Sequence, residues 1–186
     1  MDTNEDVFGS LAKAGGAIGK GLIAGFAGTV AITISQMIEM KITGRQMSDA
    51  PVKVGGKVLG VEPKGKAKVE QEKEFTQDRK PTPNTRQDME ENKERFSQFM
   101  HFGYGTGWGV FRGAMDLAGV HGAAADLALF GGIWGTAQIM LPAATESKPI
   151  TKWSAKQIAI DVFHHAVYAA AAGLVYECMR KAENKS

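Results

Sequence analysis

Charged and apolar positions in this chain are segregated into blocks. Four windows contain no Asp, Glu, Lys or Arg: Gly21–Ile38, Phe96–Phe111, Leu127–Thr145 and Val162–Tyr176. None carries the polar stripe at helical spacing that a water-facing helix needs. Crossing the hydrocarbon core of a bilayer takes about 20 mostly apolar residues, with ~17 a working minimum. The first and third windows reach that length nearly as they stand. The second and fourth reach it when Arg112 or Glu177 sits at the far interface, where a long basic side chain can snorkel. The pattern predicts an all-α fold, an integral membrane four-helix bundle in a single membrane domain, with spans at about 18–40, 97–117, 123–142 and 157–179.

A polar insert, 41–98, separates the first two spans. It holds thirteen basic and ten acidic residues, so it is nearly balanced in charge and reads as solvated, partly helical chain. Within it, Ser48–Pro51 (SDAP) predicts the cap of a short helix. Thr85 and Asp88 form a capping-box pattern. Beyond them Met89, Phe96 and Met100 share a helical face, so this helix is expected to run straight into the second span.

The second span, "FMHFGYGTGWGVFRGAMDL" (99–117), holds five glycines. In water each costs ~1 kcal/mol relative to Ala in a helix interior. In lipid the backbone bonds form regardless, and small residues let helices pack closely. Gly103 and Gly107 lie about 200° around from Gly105, Gly109 and Gly113, at ~100° per residue. An inner helix, contacted on both faces, is therefore expected. Gly21, Gly25 and Gly28 in the first span, Gly131 and Gly135 in the third and Gly173 in the fourth are candidate packing positions of the same kind.

The chain also resembles itself. Gly25–Ile32 (GFAGTVAI) and Gly132–Ile139 (GIWGTAQI) both read G-x-x-G-T-x-x-I, and each reaches a glutamate eleven residues after its second glycine, Glu39 and Glu146. Phe99–Val110 and Phe163–Leu174 share F-x-H-x-x-Y, pairing His101 with His165 and Tyr104 with Tyr168. Two parallel helical-hairpin repeats, related by an axis along the membrane normal, account for both matches, with the insert enlarging the first hairpin.

Composition narrows the function classes. A net charge of +2 over 186 residues does not point to nucleic acid. The single cysteine, Cys178, forbids an internal disulfide. The start, "MDTNEDVFGS", lacks the basic region of a signal peptide, and no lipidation motif is evident. No nucleophile elbow, phosphate loop, H-E-x-x-H or cysteine-pair motif occurs, so no catalytic residue is nominated and the reading leans away from an enzyme.

The remaining chemistry lies in a polar cluster expected at the insert end: Glu39, His101, Glu146, Asp161, His164 and His165. Three readings stay open there. The cluster can sense or pass protons, because His titrates near neutrality. No cofactor is required, but Glu39, His101, Glu146 and His165 are the ligand types of a divalent metal, as in a metal-binding membrane protein or an oxidoreductase subunit. Or the residues only mark the interface, and the chain is a scaffold that offers 41–98 to a soluble protein partner. Arg112 and Asp116, at i, i+4, are expected to pair with each other. Trp153 and Tyr176 fit an interfacial belt, and Gln138 is expected to hydrogen-bond another helix.

The Gly-rich "GLIAGFAGTVAITISQMIEM", the insert's "TGRQMSDAP" and the span openings "HFGYGTGWG" and "HHAVYAAAAG" resemble the YagU-like family of small bacterial inner-membrane proteins. The resemblance covers the four spans and implies a multi-pass protein of the bacterial inner (plasma) membrane, with a link to acid resistance. It brings no catalytic residue, and the long insert has no counterpart in it. Lys and Arg near span ends favour a cytoplasmic insert with both termini outside. Expected partners are the lipid bilayer, a second copy in a homo-oligomer, or a soluble protein at 41–98.

Overall fold

In a computed structural model the described residues, which are 3–46, 48–60, 83–145, 147–183 and 185, are mostly helical, with short turns between the helices. Five α-helices follow in order: α1 (Thr3–Thr43), α2 (Ala50–Leu59), α3 (Pro83–Leu117), α4 (Gly122–Ala144) and α5 (Ala155–Glu183). A 3₁₀ turn, Ile150–Lys152, precedes α5. No strand occurs among the described residues. α1, α4 and α5 are long and apolar enough to cross a membrane. α3 does not join them. Its first half is charged, and glycine, His101 and Arg112 hold down the hydropathy of its second half.

Side-chain size runs the opposite way from a soluble bundle. The buried positions of α1, α4 and α5 include Ala24, Thr29, Ala125, Ala169 and Ala172. Phe26, Ile34, Leu127, Ile139, Phe163 and Leu174 all lie more than half exposed. Small residues inside and large apolar residues outside suit helices whose surroundings are lipid, where close backbone approach holds them together.

The closest interface joins α1 and α3, which run antiparallel. Every fourth residue meets its counterpart: Ala17 faces Gly113, Gly21 and Gly25 face Gly109, Thr29 faces Gly105, and Thr33 hydrogen-bonds His101. A methyl on Gly109 would run into the Gly21 carbonyl, and one on Gly113 into the Ala17 carbonyl. Rows at i±4 are the ridges by which helices commonly interdigitate. α5 packs on another face of α1, with the Tyr168 ring over Gly28 and its hydroxyl donating to the Gly105 carbonyl at 2.6 Å. α4 lies against α5 and touches α3 where Gly132 meets Trp108.

The inner helix is thus α1, between α3 and α5, and not α3. Gly105, Gly109 and Gly113 pack, but a Cβ on Gly103 or Gly107 would meet nothing within 4 Å. The same holds for Gly131 and Gly135 of α4, so these four are not packing positions within the chain. The second glycine face of α3 instead floors an open groove of about 320 Å³, walled by Tyr104, Trp108 and Phe111. The two copies of the G-x-x-G-T motif differ accordingly: Gly25 meets backbone and Gly28 meets Tyr168, whereas Gly132 meets Trp108 and Gly135 meets nothing.

Helix ends follow local chemistry. After α3, Gly119 takes a left-handed φ of 80°, and the Val120 N–H returns to the Met115 carbonyl at 2.8 Å. This is a Schellman closure, and it turns the chain directly into α4. The Ser48 hydroxyl accepts the Ala50 N–H at the start of α2. α3 is already helical at Pro83, so Thr85 lies inside the helix and not at its cap. α2 is strapped to the bundle by the Lys57 ammonium on the Ala143 carbonyl (2.7 Å) and by Lys93–Asp49 (2.9 Å). The Asp49 carboxylate holds the Lys93 ammonium above the usual lysine range. The pair therefore stabilises fully below that range and loses its contribution as pH rises through the raised value. Because the pair is exposed, Asp49→Asn is expected to cost less than ~1 kcal/mol. A chemical-denaturation midpoint in detergent measures it.

Candidate functional site

The polar cluster at the insert end is built on three helices. From α1, Ser35 lies one turn before Glu39. From α5, Asp161, His164 and His165 span one helical turn. From α3, His101 reaches across to α1. Glu39 is held by the Arg45 guanidinium, whose Nε and Nη2 donate to Oε2 at 2.9 and 2.8 Å, and by the Thr43 hydroxyl at 2.9 Å on Oε1. Gly44, with φ of 72°, turns the chain so that Arg45 can fold back onto this carboxylate.

His164 is almost wholly buried, and its ring lies between Ser35 and Glu39. Hydrogen-bond accounting assigns its tautomer. Ser35 donates its hydroxyl hydrogen to the Ile32 carbonyl at 2.8 Å, so its oxygen can only accept from His164 Nδ1, 2.8 Å away. Nδ1 therefore carries hydrogen. Nε2 has no hydrogen-bond partner and stands 3.9 Å from Glu39 Oε2. A proton arriving on Nε2 creates an imidazolium directly facing a fixed carboxylate.

The same accounting applies to the other two histidines. Thr33 gives its hydrogen to the Thr29 carbonyl, so His101 donates from Nε2 to the Thr33 oxygen at 3.1 Å. His165 donates from Nδ1 to the Asp161 carbonyl at 2.8 Å. The Asp161 carboxylate receives the Trp134 indole N–H at 2.8 Å and the Gln138 amide at 3.1 Å, which ties α4 to α5. Gln138 reaches another helix as its type suggests.

The structure brings Glu39 to His164, whereas the sequence groups it with His101, Glu146 and His165 as candidate metal ligands. Glu146 lies outside the described residues. Among the described residues no three His, Cys, Asp or Glu side chains converge on a point that could hold a metal ion. Each member of the nominated set Glu39, His101 and His165 is instead engaged with a neighbour: Arg45, Thr33 and the Asp161 carbonyl respectively.

A second cluster, which the sequence did not announce, lies at the opposite end. Arg112 is completely buried. Its Nη2 donates to Glu177 Oε1 at 2.7 Å, its Nε lies 3.4 Å from Asp126 Oδ1, and its guanidinium carbon sits 4.3 Å over the Tyr176 ring. Asp116 pairs with His121 at 3.0 Å and not with Arg112. Arg180 closes on Glu177 at 2.7 Å, and Lys20 of α1 meets Glu183. Tyr176 is buried against the arginine and is no interfacial belt residue. The sequence signal was present, since Arg112 and Glu177 bound two of the charge-free windows, but nothing local links positions 65 residues apart.

Comparison with family models, with curated proteins and with solved structures found no match to this chain.

Proposed function

We propose that this is a small multi-pass protein of the bacterial inner membrane that takes up and releases protons at the insert end of its bundle, with α3 crossing as a fourth span because it packs along the apolar part of α1, although its own hydropathy does not mark it. The observation that carries this reading is the buried His164 imidazole, with its Nδ1 hydrogen committed to Ser35 and its bare Nε2 facing Glu39. A buried histidine beside a carboxylate already paired with arginine is tuned by small displacements of either partner. Asp161, one turn nearer the insert on α5, and His165 beside it continue the polar surface. The resemblance to YagU-like proteins, with their link to acid resistance, points to the same chemistry. Lys and Arg at the insert side favour a cytoplasmic location for this cluster. In that orientation it would report cytoplasmic pH or deliver protons there.

The test uses the full chain reconstituted in liposomes, with histidine ring signals followed by NMR across the acid-to-neutral range. His164 is expected to titrate, and Glu39→Gln is expected to shift its midpoint to lower pH by removing the facing charge. A His164 ring that keeps one protonation state throughout would overturn the proposal. An entrapped pH-sensitive dye then separates sensing from translocation. Dissipation of an imposed gradient that is faster than in empty liposomes, and lost in His164→Ala, marks transport. Titration without flux marks a sensor.

A further inference from the structure

Two guanidiniums, Arg112 and Arg180, meet the carboxylates of Asp126 and Glu177 at the terminal end of the bundle, with a third carboxylate, Asp116, on His121. The three carboxylates are held very unequally. Glu177 accepts from Arg112, from the Gly122 N–H at 3.1 Å and from Arg180 twice. Asp116 has His121 at 3.0 Å, although its Oδ1, like that of Asp126, has no hydrogen-bond partner. Asp126 has only the 3.4 Å approach to Arg112 Nε, which is too poor in geometry to count as a hydrogen bond, and its Oδ1 has no hydrogen-bond partner. Its side chain is also the most open of the three, 31% exposed against 13% for Asp116 and 15% for Glu177. Opposite it, the fully buried Arg112 keeps Nε and Nη1 without hydrogen-bond partners.

The fold reserves space for this carboxyl group. Gly173 of α5 faces Asp126 so closely that any Cβ there would occupy the positions of the carboxylate atoms. We infer that Asp126 is a proton-exchange site: its carboxylate binds a proton from water on the terminal side, releases Arg112 and rebinds it on deprotonation. The balance is simple. The proton adds to a carboxylate oxygen, the Asp126–Arg112 ion pair is given up, and Glu177 alone continues to neutralise the guanidinium. Arg112 of α3 and Glu177 of α5 face Asp126 directly; behind them Tyr176 lies under the guanidinium, Arg180 on Glu177, and His121 of the connecting turn on Asp116. Lys20 of α1 is occupied by Glu183. The site and the His164 cluster lie toward opposite ends of α5: Gly173, against which Asp126 sits, is nine residues from His164, about 13 Å of helix.

Infrared difference spectra of the reconstituted full chain, recorded between two pH values, read this directly. A protonated-carboxyl C=O band is expected to grow as pH falls and to vanish in Asp126→Asn. Gly173→Ala pushes the carboxyl away from Arg112 and is expected to raise the midpoint of that band by about one pH unit, because an opposite charge nearby lowers a carboxyl group's affinity for its proton. Absence of a pH-dependent carboxyl band in the wild type, or a band unchanged in Asp126→Asn, would overturn the inference. A Gly173→Ala midpoint equal to that of the wild type would remove Arg112 as the partner that sets the exchange. The readout is a carboxyl vibration, so it succeeds or fails independently of the histidine at the other end.

Discussion

Gly109→Ala is expected to destabilise the bundle by ~1–3 kcal/mol, toward the upper end of the usual range for overpacking. The added methyl would meet the Gly21 carbonyl and the Gly25 Cα, which are backbone atoms on both counts. A flexible side chain could swing aside, but here α1 and α3 must separate as rigid bodies. Separation would loosen the whole row from Ala17–Gly113 to Thr33–His101. Gly107→Ala, two residues away, is the matched control. Its methyl meets nothing within 4 Å, so only intrinsic helix preference remains, and the variant is expected to be neutral or stabilised by up to ~1 kcal/mol. Unfolding midpoints in mixed detergent–SDS micelles separate the two. Equal midpoints for both variants would contradict the α1–α3 contact row.

Arg112→Met is expected to cost ~3–5 kcal/mol, the range for removing one partner of a buried ion pair. Glu177 keeps Arg180 and the Gly122 N–H, so the loss falls mainly on Asp126 and on the cavity above Tyr176. Arg112→Lys keeps the charge but not the planar fork that spans Glu177, Asp126 and the Tyr176 ring, so it should recover only part of the loss. The double variant Arg112→Met/Asp126→Asn should be more stable than Arg112→Met alone, because no uncompensated charge remains. The penalty of Arg112→Met is also expected to shrink as pH falls, since a protonated Asp126 no longer needs the guanidinium. The same micelle titration measures all of these. A double variant no better than the single one, or a pH-independent penalty, would contradict this account.

Much of the architecture was legible before any coordinates. Charge-free windows place the helices, because the cost of putting an ion in lipid depends on a residue's own chemistry and that of its near neighbours. The row Gly105, Gly109 and Gly113 was legible as a packing face, because helical geometry alone puts residues four apart on one side. That Gly103 and Gly107 would stay open was not legible. A glycine face allows close approach without requiring a neighbour, and only the placement of α1 shows which face is covered. Among the polar residues, Glu39, His164 and Asp161 were nominated by type and position at span ends. Which histidine meets Glu39 was not legible, because it depends on the rotation of α5, which turns His164 toward α1 and leaves its neighbour His165 on Asp161. Arg112 was read with its nearest acidic neighbour in sequence, Asp116, although its partners lie on α4 and α5.

The sequence by itself determined that this chain is helical, that four of its stretches are free of charge, and that small residues recur at the spacing of a helix face. These properties follow from contiguous residues, since helix formation and partition into lipid are decided within a few turns. Only the tertiary structure decided which helix is central, which histidine meets the glutamate, and that a buried arginine gathers carboxylates from two other helices. Those outcomes depend on the rotation and depth of helices far apart in the chain, set by the summed fit of many backbone contacts, and no local pattern encodes that sum.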